Sequence, residues 1–225
     1  MNDLVLISGS GRGLGSSIAK SFVKNGYRVA INYHESKSKA EGLANELGEK
    51  VEIFKADISD KSQVDEMLNN IHKKFNKLPS ILVNNAMTKY VFNGDDRKLA
   101  DEITWEEISD HMNVTLKGSL NLIQSLIPSM KESSYGRIIN IGTNLVQNPV
   151  VPYHDYTIAK AALLGLTRTF AKDLGSSGIT VNMVSGGLLK ITDASAATPD
   201  FVFDAIAEMT PLQKVTTTED FSDAV

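Results

Sequence analysis

Short runs rich in β-branched residues, "LVLIS", "RVAINY", "VEIFKA", "SILVNNA", "GRIINIGT" and "ITVNMVS", are separated along this chain by longer segments of helical period. The intervening segments are "GSSIAKSFVKNG", "SKSKAEGLANELGE", "DKSQVDEMLNNIHKKF", the stretch from Thr104 to Lys131, and "YTIAKAALLGLTRTFAKDLGSSG". In the first of them Ile18, Ala19, Phe22 and Val23 share one face, and Gly26 supplies a C-terminal stop. Strict alternation of strand and helix leaves few solutions, because successive strands joined through helices pair in parallel and need both sheet faces covered. The expected fold is α/β, a doubly wound parallel sheet of Rossmann type. No repeat, low-complexity tract or linker divides the 225 residues, so residues 1–225 are expected to form one domain. The segment "GGLLKITDASAATPD", Gly186 to Asp200, is a long weakly patterned connection, expected to serve as a substrate loop over about 186–212.

Composition excludes several classes. With 42% hydrophobic and 22% charged residues the chain can bury a sizeable core. A net charge of -4 gives no overall attraction to nucleic acid or an anionic membrane, so neither partner is expected. The N-terminal "MNDLVLISGSG" lacks a basic region, and its apolar run is too short for a signal peptide or a membrane span. Cysteine is absent, which removes disulfides and thiolate zinc sites, and no metal is expected. The expected location is the cytoplasm, where the sequon "NVT" at 113–115 is idle.

The first chemical signal follows the first strand directly. In "SGSGRGLGSS", Gly9, Gly13 and Gly15 lead into the first helix, where backbone N–H groups and the positive helix end favour a pyrophosphate. The spacing is G-x-x-x-G-x-G; it is neither G-x-G-x-x-G nor a Walker A loop. A second signal, Y-x-x-x-K, occurs twice, as Tyr33/Lys37 and as Tyr156/Lys160. The first copy follows strand two, where an adenosine would lie. The second follows strand five, beyond the carboxyl ends of the strands, where open α/β sheets bind ligands.

With the glycine spacing, "NNAM" at 84–87, "HMNVTLKG", "NIGTN", the second Tyr/Lys pair and "SGG" at 185–187, the chain resembles the short-chain dehydrogenase/reductase family. It looks most like the β-ketoacyl-[acyl-carrier-protein] reductases and their paralogues. The resemblance implies an NADP-dependent oxidoreductase that reduces a ketone, in some relatives a 3-oxoacyl thioester, to a secondary alcohol. Asn113, Thr143, Tyr156 and Lys160 would then be catalytic. Cofactor contacts would come from Gly9, Ser10, Arg12, Gly13, Leu14, Gly15, Tyr33, His34, Asp57, Ile58, Asn85, Ala86, Gly187 and Leu189, together with Tyr156 and Lys160. It also implies a homodimer or homotetramer.

A phenol titrates near about 10, and Lys160 with an oxidised nicotinamide would draw Tyr156 toward neutrality, so that it serves as general acid in reduction. Thr143 would donate to the carbonyl oxygen, and Asn113 would position a water that links Lys160 to solvent. Strand two ends at Tyr33 without an acid for a ribose 2'-hydroxyl. Arg12, with His34, Ser36 and Lys37, suits a 2'-phosphate instead, which favours NADP. An acidic carrier protein would need a basic rim, for which Lys89, Arg97, Lys98, Arg137 and Arg168 are the candidates.

The chain departs from the family pattern at Met87, at Gly186, and at its close in "EDFSDAV", which reads as helix where the family continues into one more strand. Two other classes remain open on sequence: a non-catalytic NADP-binding sensor, and a structural paralogue that binds only protein.

Overall fold

A computed structural model describes residues 3–190, 192 and 194–225. Every β-branched run is a strand: β1 (Leu4–Ile7), β2 (Arg28–Tyr33), β3 (Val51–Lys55), β4 (Ile81–Asn84), β5 (Gly136–Thr143) and β6 (Ile179–Gly186). They form one sheet in the order β3-β2-β1-β4-β5-β6, every pairing parallel. The chain winds outward from β1 to β3, then returns to place β4 on the other side of β1, with Val5 opposite Val29 on one flank and Ile81 on the other. That reversal opens a crevice at the carboxyl ends of β1 and β4.

Helices α1 (Gly13–Lys24), α2 (Lys37–Leu47), α3 (Lys61–Phe75), α4 (Trp105–Met112), α5 (Ser119–Glu132), α6 (His154–Leu174), α7 (Asp200–Met209) and α8 (Thr218–Ser222) complete the fold. The period of two along each strand sends side chains into two cores. Leu4, Leu6, Ala30, Leu82 and Ile138 join Val64, Leu68 and Ile71 of α3 and Leu122 and Leu126 of α5. Val5, Ile7, Val29, Ile31 and Val83 join Ile18 and Ala19 of α1, Leu43 of α2 and Phe221 of α8. The doubly wound expectation therefore holds in both layers.

The stretch expected to be helical from Thr104 to Lys131 is α4, a π-helical turn (Asn113–Gly118) and α5. A capping box between Thr104 and Glu107 starts α4, and Trp105 just inside it stands 68% exposed. The expected loop over 186–212 is only partly irregular. It contains α7, with Pro199 at its N-cap and Phe203 buried, while Ile191 and Asp193 lie outside the described residues. The closing helix is α8, capped by Thr217 and Asp220. Its Phe221 fills the space where a side chain at Gly186 would stand: a Cβ there would lie 2.6 Å from Cε2. Gly186 is thus the partner of a buried ring.

Candidate active site

At the crevice, Gly9 turns the chain with φ +61, and a Cβ on Gly15 would lie 2.6 Å from Asn85 Nδ2 and 2.7 Å from Gly9 O. Backbone therefore packs where side chains cannot. The N-cap of α1, Arg12, makes no side-chain cap bond and the first turn holds no acid, whereas α3 is capped by Asp60 through Ser62 and Gln63. Amides at a positive helix end with no capping side chain fit an anion such as a pyrophosphate.

Ser8 and Asn32, which the sequence reading passed over, hold this loop in place together with Ser10 and Asn85, which it named. The Ser8 hydroxyl accepts from the N–H groups of Asn85 and Ala86, each at 3.0 Å. Asn32 Oδ1 accepts from Gly9 N at 3.1 Å, while its Nδ2 donates to Ala56 O at 3.1 Å. Asn85 Nδ2 donates to the carbonyls of Ser8 and Gly9. Ser10 turns inward and donates to Ile7 O at 2.7 Å. Ser8 and Asn32 carry no spacing signal; only their buried polar atoms reveal them.

At the adenosine end Arg12 and His34 are exposed on adjacent loops, with Leu14 partly buried on α1 and packed against the core that holds Ile18 and Phe221. Ser10 N donates to Asn32 O and ties those loops together. The Tyr33 ring is buried on the face shared with Val29 and Ile31, so this residue offers the crevice backbone and not its phenol. Its partner in the first Y-x-x-x-K, Lys37, is exposed beside Glu41 at 3.5 Å. Asp57 accepts from Ser59 N and Oγ, and Ile58 is buried beside the π turn. Gly187 lies beyond β6 within reach of Asn144, and Leu189 packs against the core that holds Ile18 and Phe221.

β5 ends at Thr143, and α6 places Tyr156 and Lys160 on one face in successive turns. Tyr156 is 8% exposed and Lys160 is 2% exposed. Thr143 stands beside the phenol and lowers its pKa, and Thr143 Oγ1 accepts from Leu145 N at 3.3 Å. Lys160 Nζ donates to Ile141 O at 2.6 Å and lies 5.8 Å from the Tyr156 ring centroid. Burial depresses the ammonium to about 8. Burial also pushes the phenol up, with Thr143 opposing it. The protein's own groups therefore give no drift toward neutrality, because desolvation outweighs the Thr143 contribution. The phenol is held in its protonated form.

Asn113 opens the π turn exposed, beside Thr88, Tyr90, His111 and Asp155, and makes no side-chain hydrogen bond among the described residues. Two positions on, Thr115 is buried and its Oγ1 has no partner. The extra residue of a π turn rotates the helix face, which spacing alone does not reveal.

A cluster that the sequence reading missed covers Tyr156. Tyr90 stacks on its ring with centroids 5.8 Å apart and planes at 19°, and Phe92 meets it edge-on at 5.1 Å. Tyr153 meets Tyr90 and Phe92 at 5.8 and 5.2 Å. Tyr90 Oη donates to Asp155 Oδ1 at 3.1 Å, and burial, with that carboxylate next, drives its phenol far upward. His111 is buried, with Nε2 2.9 Å from Thr88 Oγ1 and 3.4 Å from Asp155 Oδ2. Burial lowers its pKa, with Asp155 opposing the shift.

Outside this cluster a cleft of ≈ 370 Å³ is lined by Tyr90, Arg97, Lys98, Glu107, His154 and Asp155, among others. Of the basic-rim candidates only Arg97 and Lys98 line it, and Lys98 pairs with Glu107 at 3.0 Å. Arg137 lies at the opposite, amino end of β5, stacked on Tyr135. Among the described residues no three His, Cys, Asp or Glu side chains gather to hold a metal ion. None of the described helices is long and apolar enough to cross a membrane.

Comparison with known proteins agrees with this geometry. The enoyl-(acyl carrier protein) reductase family model matches residues 9–225. The 3-oxoacyl-[acyl-carrier-protein] reductase FabG of Staphylococcus epidermidis is 36% identical over 230 residues, covering 100% of this chain and 90% of the relative. Among solved structures, ElxO with NADP bound superposes with a TM-score of 0.86 at 30% identity, over 100% of this chain and 90% of the other. The 3-ketoacyl-(acyl-carrier-protein) reductase of Brucella melitensis complexed with NADH gives a TM-score of 0.87 at 26% identity, over 99% and 88%. A glycine loop in the β1/β4 crevice, a buried Tyr/Lys pair after β5, and full-length likeness to these reductases lead to one assignment: the chain belongs to the short-chain dehydrogenase/reductase family.

Proposed function

We propose that this protein reduces a ketone to a secondary alcohol with NADPH, Tyr156 donating the proton. That it is an oxidoreductase of the family follows from the relatives at full length. The finer reading is carried by one observation: a buried phenol kept protonated, with Thr143 beside it, one helical turn from a buried lysine. NADPH, when bound, supplies the hydride to the carbonyl carbon. The glycine loop and the uncapped start of α1 would hold its pyrophosphate, and the Arg12 side with His34 its 2'-phosphate. Thr143 donates to the carbonyl oxygen as charge grows there. Tyr156 transfers its proton to that oxygen as the C=O π pair becomes a lone pair, and the phenolate recovers a proton from solvent. Lys160, still charged at neutral pH, stabilises the phenolate in the interval.

The two similar solved structures carry NADP and NADH respectively, so the preference for NADP rests on this chain's own residues. No acid ends β2, and an arginine stands in the glycine loop.

The test is Tyr156→Phe. It should keep the thermal shift caused by NADPH and cut ketone turnover by at least about a hundredfold. Undiminished reduction by this variant would end the assignment.

A further inference from the structure

Three segments far apart in the chain meet over Tyr156. The connection after β4 brings Tyr90 and Phe92, the turn before α6 brings Tyr153, and the connection after β6 holds them down. Phe92 N donates to Ala194 O at 2.9 Å, and Thr198 Oγ1 donates to Phe92 O at 3.4 Å. Phe92 is thus fastened through its N–H and C=O while its ring, half-buried, points at Tyr156. Tyr90 is fixed as firmly, because Asp155, the residue preceding Tyr156, accepts its hydroxyl proton and His111 packs edge-on against its ring at 4.8 Å. Since the Tyr90 hydroxyl is committed to Asp155, Tyr90 and Phe92 present π faces and edges to a reactant at Tyr156, with no hydrogen-bonding group.

We propose that Tyr90, Phe92 and Tyr153 select carbonyl compounds with a flat aromatic group next to the C=O, in preference to flexible alkyl or long acyl ketones. This rests on the reading of Tyr156 as proton donor. A carbonyl carbon seated at Tyr156 and Thr143 has its substituent directed against these rings. A flat π system recovers offset-stacked and edge-to-face contacts there, whereas an alkyl chain recovers only area and loses rotamer freedom. A polar carrier arm would find no partner among the ring faces.

The experiment compares NADPH-dependent reduction of ethyl benzoylacetate and ethyl 3-oxohexanoate, which share a 3-oxo ester and differ in phenyl against propyl. Wild type should favour the phenyl ester in kcat/KM by roughly tenfold, the scale of two or three aromatic contacts. Phe92→Leu keeps apolar bulk and removes one of the rings, and should lower that ratio to roughly three- to fivefold, chiefly through KM for the phenyl ester. Phe92→Ala should do the same and raise the rate with 3-oxodecanoyl N-acetylcysteamine, whose chain then has room. Equal rates with both esters in wild type, or a ratio untouched in Phe92→Leu, overturns the aromatic wall and leaves the reductase reading standing. Absence of NADPH oxidation with either ester and with 2,3-butanedione overturns both.

Discussion

Lys160 keeps a charge where charge is least stable. Its ammonium is depressed from the ordinary 10.5 to about 8, so the cost of burying it is complete below pH 8 and vanishes above 10.5, where both folded and unfolded chains hold it neutral. Removing it should therefore stabilise the fold most at neutral pH. The shift corresponds to about 3 kcal/mol, from which the lost bond to Ile141 O subtracts about 1–2. For a chain of this size Lys160→Met should raise Tm by roughly 2–8 °C at pH 7, with a gain that shrinks toward pH 10. Turnover should fall by at least about a hundredfold. Melting curves across pH check the sign: a Tm that drops at pH 7 would mean that the ammonium's bonds outweigh its desolvation. Tyr156 and Lys160 were legible in the sequence because i and i+4 share a helix face. Tyr90 was not: it meets Asp155 across 65 positions, and no local pattern announces such a contact.

At the level of elements, the glycine loop, β1 and α1 act as one part. A Cβ on Gly15 would press on Gly9 O and Ser10 Cα as well as on Asn85 Nδ2, and backbone atoms cannot swing aside. Gly15→Ala should lower Tm by several degrees, at about 1–3 kcal/mol for overpacking, and abolish the NADPH thermal shift at concentrations that saturate wild type. Gly42→Ala in α2 is the control, since a Cβ there meets nothing within 4 Å; it should keep the shift and gain about 0.5–1 kcal/mol. A full NADPH shift in Gly15→Ala would separate the loop from the cofactor. The strands were readable in full because a two-sided parallel sheet demands continuous apolar runs. The π turn was not, since six residues from Asn113 to Gly118 keep helical composition while changing the face that looks inward. Nor was α7, whose "DFVFDAIAEM" buries Phe203 but leaves Phe201 and Met209 in solvent, so that its apolar residues mark no single face.

For the whole molecule, the side of α6 away from the sheet exposes Ile158, at 42%, in line with exposed Ala161 and Gly165. A smooth apolar stripe on a long helix suits close approach of the same helix from a second copy about a two-fold axis. Light scattering coupled to size exclusion should give at least a dimer at micromolar concentration, and Ile158→Arg should shift it toward monomer. A wild-type monomer under those conditions would remove the stripe from the account. The isolated indole of Trp105 also decides how these experiments can be read. It is the only tryptophan and lies at the outer start of α4, largely in water before any unfolding begins. Its emission in the native state is already that of a hydrated indole, so denaturation scarcely moves its wavelength. Melting of this protein must be followed by circular dichroism or a dye that seeks newly bared apolar surface.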